Sequence, residues 1–436
     1  MSKVFRPWDV EQSWLLPPSV HELVPPEHSA HFVRNLVRDE LDLGAIYETY
    51  DEERGFPPYH PAMMTALLLY GYTQGLFSSR KIARACEERV DFMAVTAMQR
   101  PDFRTIAKFR VRHLQALSGL FVQVLKLCQR AGLVRLGHVA VDGTKVKANA
   151  SKHKAMSYKR MKEAEPKLAA EVKEWFERSA AEDTRDDEML GEKRGDELPA
   201  WVANRQTRLE KIREAKAALE AEAKKAATAD QDDSDDEPPS SSSPPHHADG
   251  TPTDKAQRNF TDPDSRIVKT SEGYTQGYNA QVAVDAEQQV IVAQFVVAAQ
   301  NDWLYLPRLL DEIRNNTGRQ ADEVSADAGY CSETNLRTLG RRGIRGYVAT
   351  GRQWRGERTT RSRRLGPLAV RMATRLARAG YRTRYRLRKV VVEPVFGQIK
   401  NVLGFTRFLL RGLWKVTGEW SLVSTAHNLR KLAAAR

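Results

Sequence analysis

Apolar residues at helical spacing predict an all-helical N-terminal domain over residues 1–132. Within it, the run AMMTALLLYGYTQGL predicts a strongly apolar helix. Asp102 is a typical N-cap for the next long amphipathic pattern, which is expected to end at Gly132. These helices carry basic residues on their exposed faces.

The period of the pattern changes at Gly137, where GHVAVDGTKVKANA alternates apolar and polar residues and predicts a strand. Further along, GYNAQVAVDAEQQVIVAQFVVA predicts two strands joined by a short turn. Helices and strands then alternate towards the C-terminus. This order predicts an α/β fold, a mixed sheet flanked by helices, formed by residues 133–154 and 259–436.

Residues 155–258 separate the first strand from the rest of the sheet and are interpreted as an insertion. The first part is rich in Ala, Glu and Lys, which predicts a solvent-exposed helical pair or a coiled-coil arm. Residues 228–255 then contain almost no apolar side chain. Because such a stretch buries too little to offset its ordering entropy, a disordered acidic, Pro- and Ser-rich linker that is dispensable for folding is expected up to residue 258.

Lysine and arginine outnumber aspartate and glutamate by 69 to 56, which gives a net charge of +13 and a pI near 9.6. A basic chain attracts polyanions such as nucleic acids, although ordinary solubility explains the same balance. The distribution says more than the total, since acids gather in residues 181–237 and arginines in residues 337–388.

Several functional classes are disfavoured by the composition. The three cysteines have no CxxC spacing, so neither a zinc site nor a disulfide framework is expected. No apolar run approaches the ~20 residues of a membrane span, and the N-terminus lacks a signal-peptide pattern. A cytoplasmic protein without a membrane partner is therefore expected.

Three acids stand at the ends of apolar segments. Asp142 follows Val139–Val141, Asp327 ends the predicted strand VSAD, and Glu393 is expected to open a helix after Val390–Val392. An acid directly after buried residues is costly unless it is hydrogen-bonded or binds a cation. Each acid alone is more often a turn former or a helix cap, but three in this order in a basic chain favour one shared site.

Carboxylate oxygens are the ligands that Mg²⁺ prefers. In phosphoryl chemistry, two ions about 4 Å apart activate the attacking oxygen and stabilise the leaving one. The expected cofactor is therefore a pair of Mg²⁺ ions, with Mn²⁺ as a substitute, held by Asp142, Asp327 and Glu393.

The arginines of residues 351–388 lie between Asp327 and Glu393 and carry charge of one sign. They predict a channel for phosphates, with Arg352 as a DNA contact and Trp354 as a candidate for stacking on an unpaired base. A solvated run of charge is the alternative interpretation.

Three further features keep two interpretations each. Asp302 is more readily an N-cap of the following helix than a support for a metal site. Residues 276–279 either contact DNA or pair with the first strand. The predicted helices Lys81–Val90 and Phe103–His113 form either a helix-turn-helix module or a plain helical bundle.

Separated motifs resemble, in the same order, the signatures of DDE transposases of bacterial insertion sequences. They are Asp142-Gly143-Thr144-Lys145, TDPDS at 261–265, QGYNAQ at 276–281, Ala326-Asp327-Ala328-Gly329-Tyr330, and the series Tyr385, Arg388, Glu393 and Lys400. The resemblance implies a ribonuclease H-like catalytic core. It also implies that Asp142, Asp327 and Glu393 bind metal and that Tyr385, Arg388 and Lys400 contact the transposon end. The predicted helices of residues 28–132 resemble the N-terminal domain of the same transposases, which implies that the domain of residues 1–132 binds DNA.

One spacing departs from this pattern. Four residues separate Arg388 from Glu393, one more than some related signatures allow, and Lys389 would fit the shorter spacing. The assignment of the arginine is therefore less secure than that of Glu393.

The function implied by the resemblance is that of a DNA transposase. Such an enzyme cleaves DNA at the terminal inverted repeats of its element and joins the ends to target DNA, and it is expected to act as a homo-oligomer on DNA. The alternatives are a ribonuclease H-like nuclease without strand transfer and a catalytically inactive, transposase-derived repressor.

Overall fold

The computed structural model of the chain describes residues 19–50, 58–187, 200–231, 244–270, 273–299, 302–351 and 366–435. The chain divides into two compact units, Met1–Leu117 and Ser118–Arg436. The described residues of each unit surround their own buried apolar side chains.

The described part of the first unit is helical, as predicted. Its helices are α1 (Ser29–Asp39), α2 (Gly44–Tyr47), α3 (Pro61–Thr73), α4 (Ser79–Glu88), α5 (Val90–Thr96) and α6 (Phe103–Arg112), and α7 (Leu114–Arg130) begins in this unit. Helix α3 is buried nearly all round, which explains its apolar sequence. Asp102 caps α6, because its carboxylate accepts a hydrogen bond from the Arg104 amide at 2.7 Å.

The predicted helix-turn-helix module is not formed as expected. Helix α5 lies between α4 and α6, whereas the motif requires two helices joined by a turn of about three or four residues. The long pattern after Asp102 also breaks at His113 into two helices. The plain helical bundle is therefore the better description of this unit.

The second unit contains an α/β sheet and the insertion. Its strands are β1 (Val139–Lys147), β2 (Ala155–Ser157), β3 (Gln257–Asn259), β4 (Arg266–Thr270), β5 (Gly273–Asp285), β6 (Ile291–Val297), β7 (Glu323–Ala326) and β8 (Arg345–Val348). Its helices after α7 are α8 (Tyr158–Asp187), α9 (Ala200–Gln231), α10 (Leu306–Thr317), α11 (Glu333–Arg341), α12 (Pro367–Ala377), α13 (Ala379–Gly397) and α14 (Leu413–Ala434).

The structure divides the chain at residue 117, earlier than the predicted boundary at 132. The later turns of α7 belong to the second unit because they bond to α14. The hydroxyl of Ser421 donates to the Ser118 carbonyl at 2.9 Å, and the Cys128 thiol donates to the Asn428 carbonyl at 3.8 Å.

Six strands of the described residues form a mixed sheet in the order β4-β5-β1-β7-β8, with β6 also paired to β5. Strands β1 and β5 are antiparallel, whereas β1, β7 and β8 run parallel. Strand β5 is long enough to pair with β4 along its first half and with β6 along its second. The predicted mixed α/β sheet flanked by helices is confirmed.

The insertion is a helical pair with a small core of its own. Helices α8 and α9 enclose a cluster made of Tyr158, Met161, Ile212, Ala215, Leu219 and Ala256. Glu165 of α8 forms ion pairs with Arg213 and Lys216 of α9. The two-stranded sheet β2–β3 lies at the base of this arm, where the chain leaves and rejoins the domain.

The expectation that residues 228–258 are disordered and bury nothing is corrected for the part that is described. Residues 228–231 continue α9, and Ala256 is fully buried in the arm's core. A Cβ at Gly250 would lie 3.3 Å from Ala227 and from Lys224, so this segment packs closely on α9. Residues 232–243 lie outside the described residues.

Helix α14 is buried along its middle turns, Gly418–Leu429, and packs against β6 of the sheet. Burial lowers the pKa of His427 in this helix to about 4, and its Nε2 bonds to the Gln289 carbonyl at 2.9 Å. No helix of the described residues combines the length and the low polarity that crossing a membrane requires.

Acid should therefore destabilise the fold through His427. Between pH 6.5 and pH 4 the imidazole of His427 is protonated in the unfolded chain but not in the folded chain. The stability of the fold is therefore complete above pH 6.5 and decreases as the pH falls towards 4. We expect this group to cost roughly 2 kcal/mol on going from pH 7.5 to pH 5. His427→Gln, which keeps a donor for the Gln289 carbonyl, should lose less stability over that range in urea unfolding. An equal loss in both proteins would exclude His427 as the cause.

Candidate functional site

The pairing of β1 with β7 brings two of the predicted acids together. The last parallel pair is Ala140 with Ser325, and two residues further along each strand come Asp142 and Asp327. Asp142 lies within β1, opposite Val282 of β5, and Asp327 follows the end of β7. The two carboxylates therefore stand at the same level on neighbouring strands.

Glu393 reaches this site from α13, which packs against β1 and β7. The expectation that Glu393 opens a helix is wrong, because α13 begins fourteen residues earlier at Ala379 and Glu393 lies in its last turns. Val391, Val392 and Val395 are the buried face of this helix. The valine run thus fits helical burial, although β-branched residues are typical of strands.

Arg388 connects Asp142 to Glu393. Its Nη1 lies 2.7 Å from Asp142 Oδ2, and its Nη2 lies 3.4 Å from Glu393 Oε1. The side chain of Arg388 is only 13% exposed, whereas Lys389 is exposed on the other side of the helix turn. Arg388 also interacts with Tyr385. Despite its unusual spacing, the arginine is the residue that faces the acids.

A fourth acid, Asp302, adjoins the site, and its expected role as an N-cap is wrong. Helix α10 begins at Leu306 and has Tyr305 at its N-cap position. The Asp302 Oδ1 atom instead accepts hydrogen bonds from Asn279 Nδ2 at 2.6 Å and Gln281 Nε2 at 2.7 Å. Asn279 and Gln281 are buried, so this part of β5 lies beneath the acids and positions Asp302 from the interior.

The glycines of two quoted motifs leave room for these carboxylates. A Cβ at Gly143 would lie 2.6 Å from Asp302 Oδ1 and would collide with Gln281 Nε2. A Cβ at Gly329 would lie 2.9 Å from Asp327 Oδ1 and 3.4 Å from Asp302 Oδ2. Asp302 and Asp327 therefore flank Gly329, and both glycines are needed for close approach.

Burial and crowding of the carboxylates disfavour the charged forms of Asp142 and Asp327. The pKa of Asp142 is raised to about 7, mainly by burial; Arg388 opposes this shift, and the charges of Asp327 and Asp302 add to it. The pKa of Asp327 is also raised by burial, with Asp302 contributing. Lys145 lies 3.8 Å from Asp302, and burial lowers the pKa of its ammonium group. An added cation would relieve the repulsion among these carboxylates.

The donor set suits a hard divalent cation, since it consists of carboxylates. Arg388 already supplies positive charge between Asp142 and Glu393. Among the described residues, no three His, Cys, Asp or Glu side chains surround a common point as metal ligands. The three predicted acids would therefore share an ion only after Arg388 leaves its ion pairs.

The other predicted contacts have different positions. Lys400 lies in a π-helical turn after α13, half-buried, and its Nζ donates to the Lys145 carbonyl at 2.8 Å. This places Lys400 beside β1, three residues from Asp142 along that strand. Arg352 and Trp354 lie outside the described residues.

Comparison with known families agrees with this geometry. Residues 248–429 match the family described as a transposase DDE domain, and residues 18–112 match a family described as a transposase domain (DUF772). The protein is a DDE transposase of the bacterial insertion-sequence type. No curated protein and no solved structure matches the chain.

The family assignment carries a chemical consequence. A DDE transposase is a metal-dependent enzyme that cleaves DNA and transfers strands. The matched DDE range contains Asp327 and Glu393 but begins after Asp142, because the insertion separates β1 from the rest of the domain. The pairing of β1 with β7 places Asp142 beside Asp327 of the matched range.

Sequence reasoning did not assign roles to Gly143, Lys145 or Gln281, although all three lie in motifs that it quoted. The side chain of Gln281 also accepts a hydrogen bond from the buried Tyr330 hydroxyl. These residues are recognised only when β5 is placed against β1 and β7. Their contacts are non-local, so spacing along the chain gives no indication of them.

Substitution of Gly143 by alanine should disturb the site directly. The new methyl group must displace Gln281 and Asp302, and overpacking of this kind costs about 1–3 kcal/mol. We expect a lower free energy of unfolding in urea, and a loss of DNA cleavage that exceeds the loss expected from unfolding alone. The control is Gly137→Ala, because a Cβ at Gly137 meets nothing within 4 Å. Equal behaviour of the two variants would show that Gly143 is not needed for close packing.

Proposed function

We propose that Asp142, Asp327 and Glu393 are the metal ligands of this transposase. The observation that carries this proposal is that Asp142 and Asp327 occupy equivalent positions on neighbouring parallel strands. Glu393 is linked to Asp142 through Arg388. Crowding of carboxylates in a half-buried site supports it further, since such a site favours a divalent cation. We infer two Mg²⁺ ions, with Mn²⁺ as a substitute.

When bound, the ions would activate an attacking oxygen and stabilise the leaving oxygen of a phosphodiester. The residues of the chain provide the rest. The side-chain amides of Asn279 and Gln281 donate to Asp302 and hold its carboxylate beside Asp327. Water serves as the first nucleophile, and the 3′-hydroxyl that it frees serves as the second, so one site performs cleavage and strand transfer.

Tyr385, Arg388 and Lys400 are proposed to contact the phosphates of the transposon end. Arg388 is suited to this role because its guanidinium group faces the acids and binds phosphate in a bidentate manner once released. Lys400 must give up its bond to the Lys145 carbonyl before it reaches DNA. Arg352 and Trp354 are proposed as further contacts on the basis of the sequence.

The partners proposed are the terminal inverted repeats of the element and target DNA, bound by a homo-oligomer in the cytoplasm. A nuclease without strand transfer would cleave the repeats but would not join a pre-cleaved end to a plasmid. A repressor derived from a transposase would bind the repeats without metal-dependent cleavage. The set of acids at one site favours the active enzyme over the repressor.

Replacing each ligand by its amide tests the assignment. Asp142→Asn, Asp327→Asn and Glu393→Gln should each abolish Mg²⁺-dependent cleavage and joining, because an amide keeps the shape but loses the charge that holds the ion. Binding of the terminal-repeat duplex in EDTA should persist. The matched control is Asp311→Asn on α10, an exposed carboxylate that pairs with Arg342. Substantial cleavage by one of the three variants would remove that residue from the site.

Arg388 and Lys389 offer a second, internal comparison. Without Arg388, a metal ion no longer competes with its ion pairs, and such a pair contributes on the order of 1 kcal/mol. Arg388→Gln should therefore bind Mn²⁺ several-fold more tightly in a thermal-shift titration of the DNA-free protein, yet cleave terminal-repeat DNA more slowly. Lys389→Gln should change neither property. Weaker Mn²⁺ binding by Arg388→Gln, or an equal defect in Lys389→Gln, would contradict the role of Arg388.

A further inference from the structure

A second basic surface lies where β1 ends, away from the acids. It is a groove lined by the basic residues Lys147, Lys152, His153, Lys154, Arg407 and Arg411, and no carboxylate is among the described residues that line it. We propose that this basic groove binds the phosphate backbone of duplex DNA on one side of the cleavage site. The proposal rests on the transposase function and adds the place where the duplex runs.

The floor of the groove is an extension of the catalytic sheet. Beyond the pairing of β1 with β5, the Lys147 amide donates to the Thr406 carbonyl at 3.2 Å, and the Phe408 amide donates to the Lys147 carbonyl at 2.9 Å. Arg407 is thereby held beside Lys147 as if on a short parallel strand. The same strand thus carries Asp142 and one wall of the basic groove.

The opposite wall is anchored through its backbone carbonyls. The carbonyl of Asn149 accepts from Arg411 Nε at 2.8 Å, and the carbonyl of Ser151 accepts from Asn259 Nδ2 at 2.8 Å. The carbonyl of Lys154 accepts from the Phe260 amide at 3.0 Å. The ammonium groups of Lys152 and Lys154 remain exposed on a fixed segment, so ligand binding needs little ordering of the backbone.

The chemistry of the groove matches a nucleic-acid backbone. Basic side chains supply charge for phosphates, and the hydroxyl groups of Thr261 and Thr275 add hydrogen-bond donors. Tyr274 at the rim is 64% exposed, which is unusual for so large an aromatic side chain and provides a surface for a sugar or a base. Among the described residues, Lys152, Lys154 and Arg407 form no ion pair with an acid.

The length of β1 sets the position of the groove along DNA. Lys147 lies five residues beyond Asp142, which corresponds to about 17 Å at ~3.3 Å per residue. Duplex DNA rises ~3.4 Å per base pair, so the groove meets the backbone about five base pairs from the bond that is cut. A basic groove on the same strand as Asp142, offset from the acids by this length, is suited to holding a duplex.

Binding measurements in EDTA test the groove without needing cleavage. The full chain carrying Lys152→Gln, Lys154→Gln and Arg407→Gln is titrated with salt against a random-sequence duplex and a terminal-repeat duplex. The slope of log K against log salt should fall by about 0.9 for each phosphate that the variant no longer neutralises. The control removes the same charge from exposed residues elsewhere, with Arg314→Gln, Arg319→Gln and Arg341→Gln, and should keep the wild-type slope.

Each result has a defined meaning. A fall for both duplexes, or for the terminal-repeat duplex or random duplex alone, supports the groove and identifies the DNA that it holds. Wild-type slopes with both duplexes overturn the proposal. Because metal is absent, a failure of the proposed metal ligands would leave this experiment unaffected.

The position of the groove along DNA can be mapped with terminal-repeat duplexes that each carry one neutral methylphosphonate linkage in place of a phosphate. Wild-type affinity should drop when the neutral linkage lies about five base pairs from the cleaved bond, and the groove variant should be insensitive there. The same sensitivity in the variant and the wild type would contradict the placement of the groove.

Discussion

The parallel pairing of β1 with β7 is the interaction on which the rest of the site depends. It places Asp142 and Asp327 at one level, although 184 intervening residues, including the helical arm, separate them along the chain. The hydrogen bonds of the sheet, rather than those of the carboxylates, hold this arrangement. Two acids that repel each other are therefore kept together by a backbone that they do not stabilise themselves.

Arg388 offsets part of that repulsion. In the DNA-free protein its guanidinium group neutralises Asp142 and approaches Glu393. In the proposed function, a divalent cation and the guanidinium group compete for the same carboxylate oxygens, and a DNA phosphate attracts the guanidinium group. The proposal therefore implies that DNA and metal favour each other's binding, since DNA would draw Arg388 away from the proposed metal ligands.

Much of this could be predicted from sequence because it follows from local pattern. The alternation in β1 and in the β5–β6 hairpin gave the sheet, and Asp142 and Asp327 were identified by their place after buried residues. Glu393 was identified as an acid of the site, but its helix was started too late, because three consecutive valines resemble a strand end. Only packing against β1 and β7 shows that they are the buried stripe of α13.

Features that depend on distant contacts were beyond local rules. Asp302 has the local pattern of an N-cap, yet its carboxylate accepts hydrogen bonds from Asn279 and Gln281 of β5. The stretch around Gly250 and Ala256 is polar on average, yet its small residues fit against α9. Average composition does not reveal such fits, because one or two close contacts decide them.

The central claim, that the paired strands create a metal site, is tested most directly by anomalous diffraction from Mn²⁺. The crystals would contain the wild-type chain bound to a duplex with its cleaved terminal repeat. The account predicts anomalous density in contact with Asp142 and Asp327, with Glu393 among the ligands and Arg388 moved to a DNA phosphate. Mn²⁺ density away from Asp142 and Asp327, with Arg388 still paired to Asp142, would contradict it.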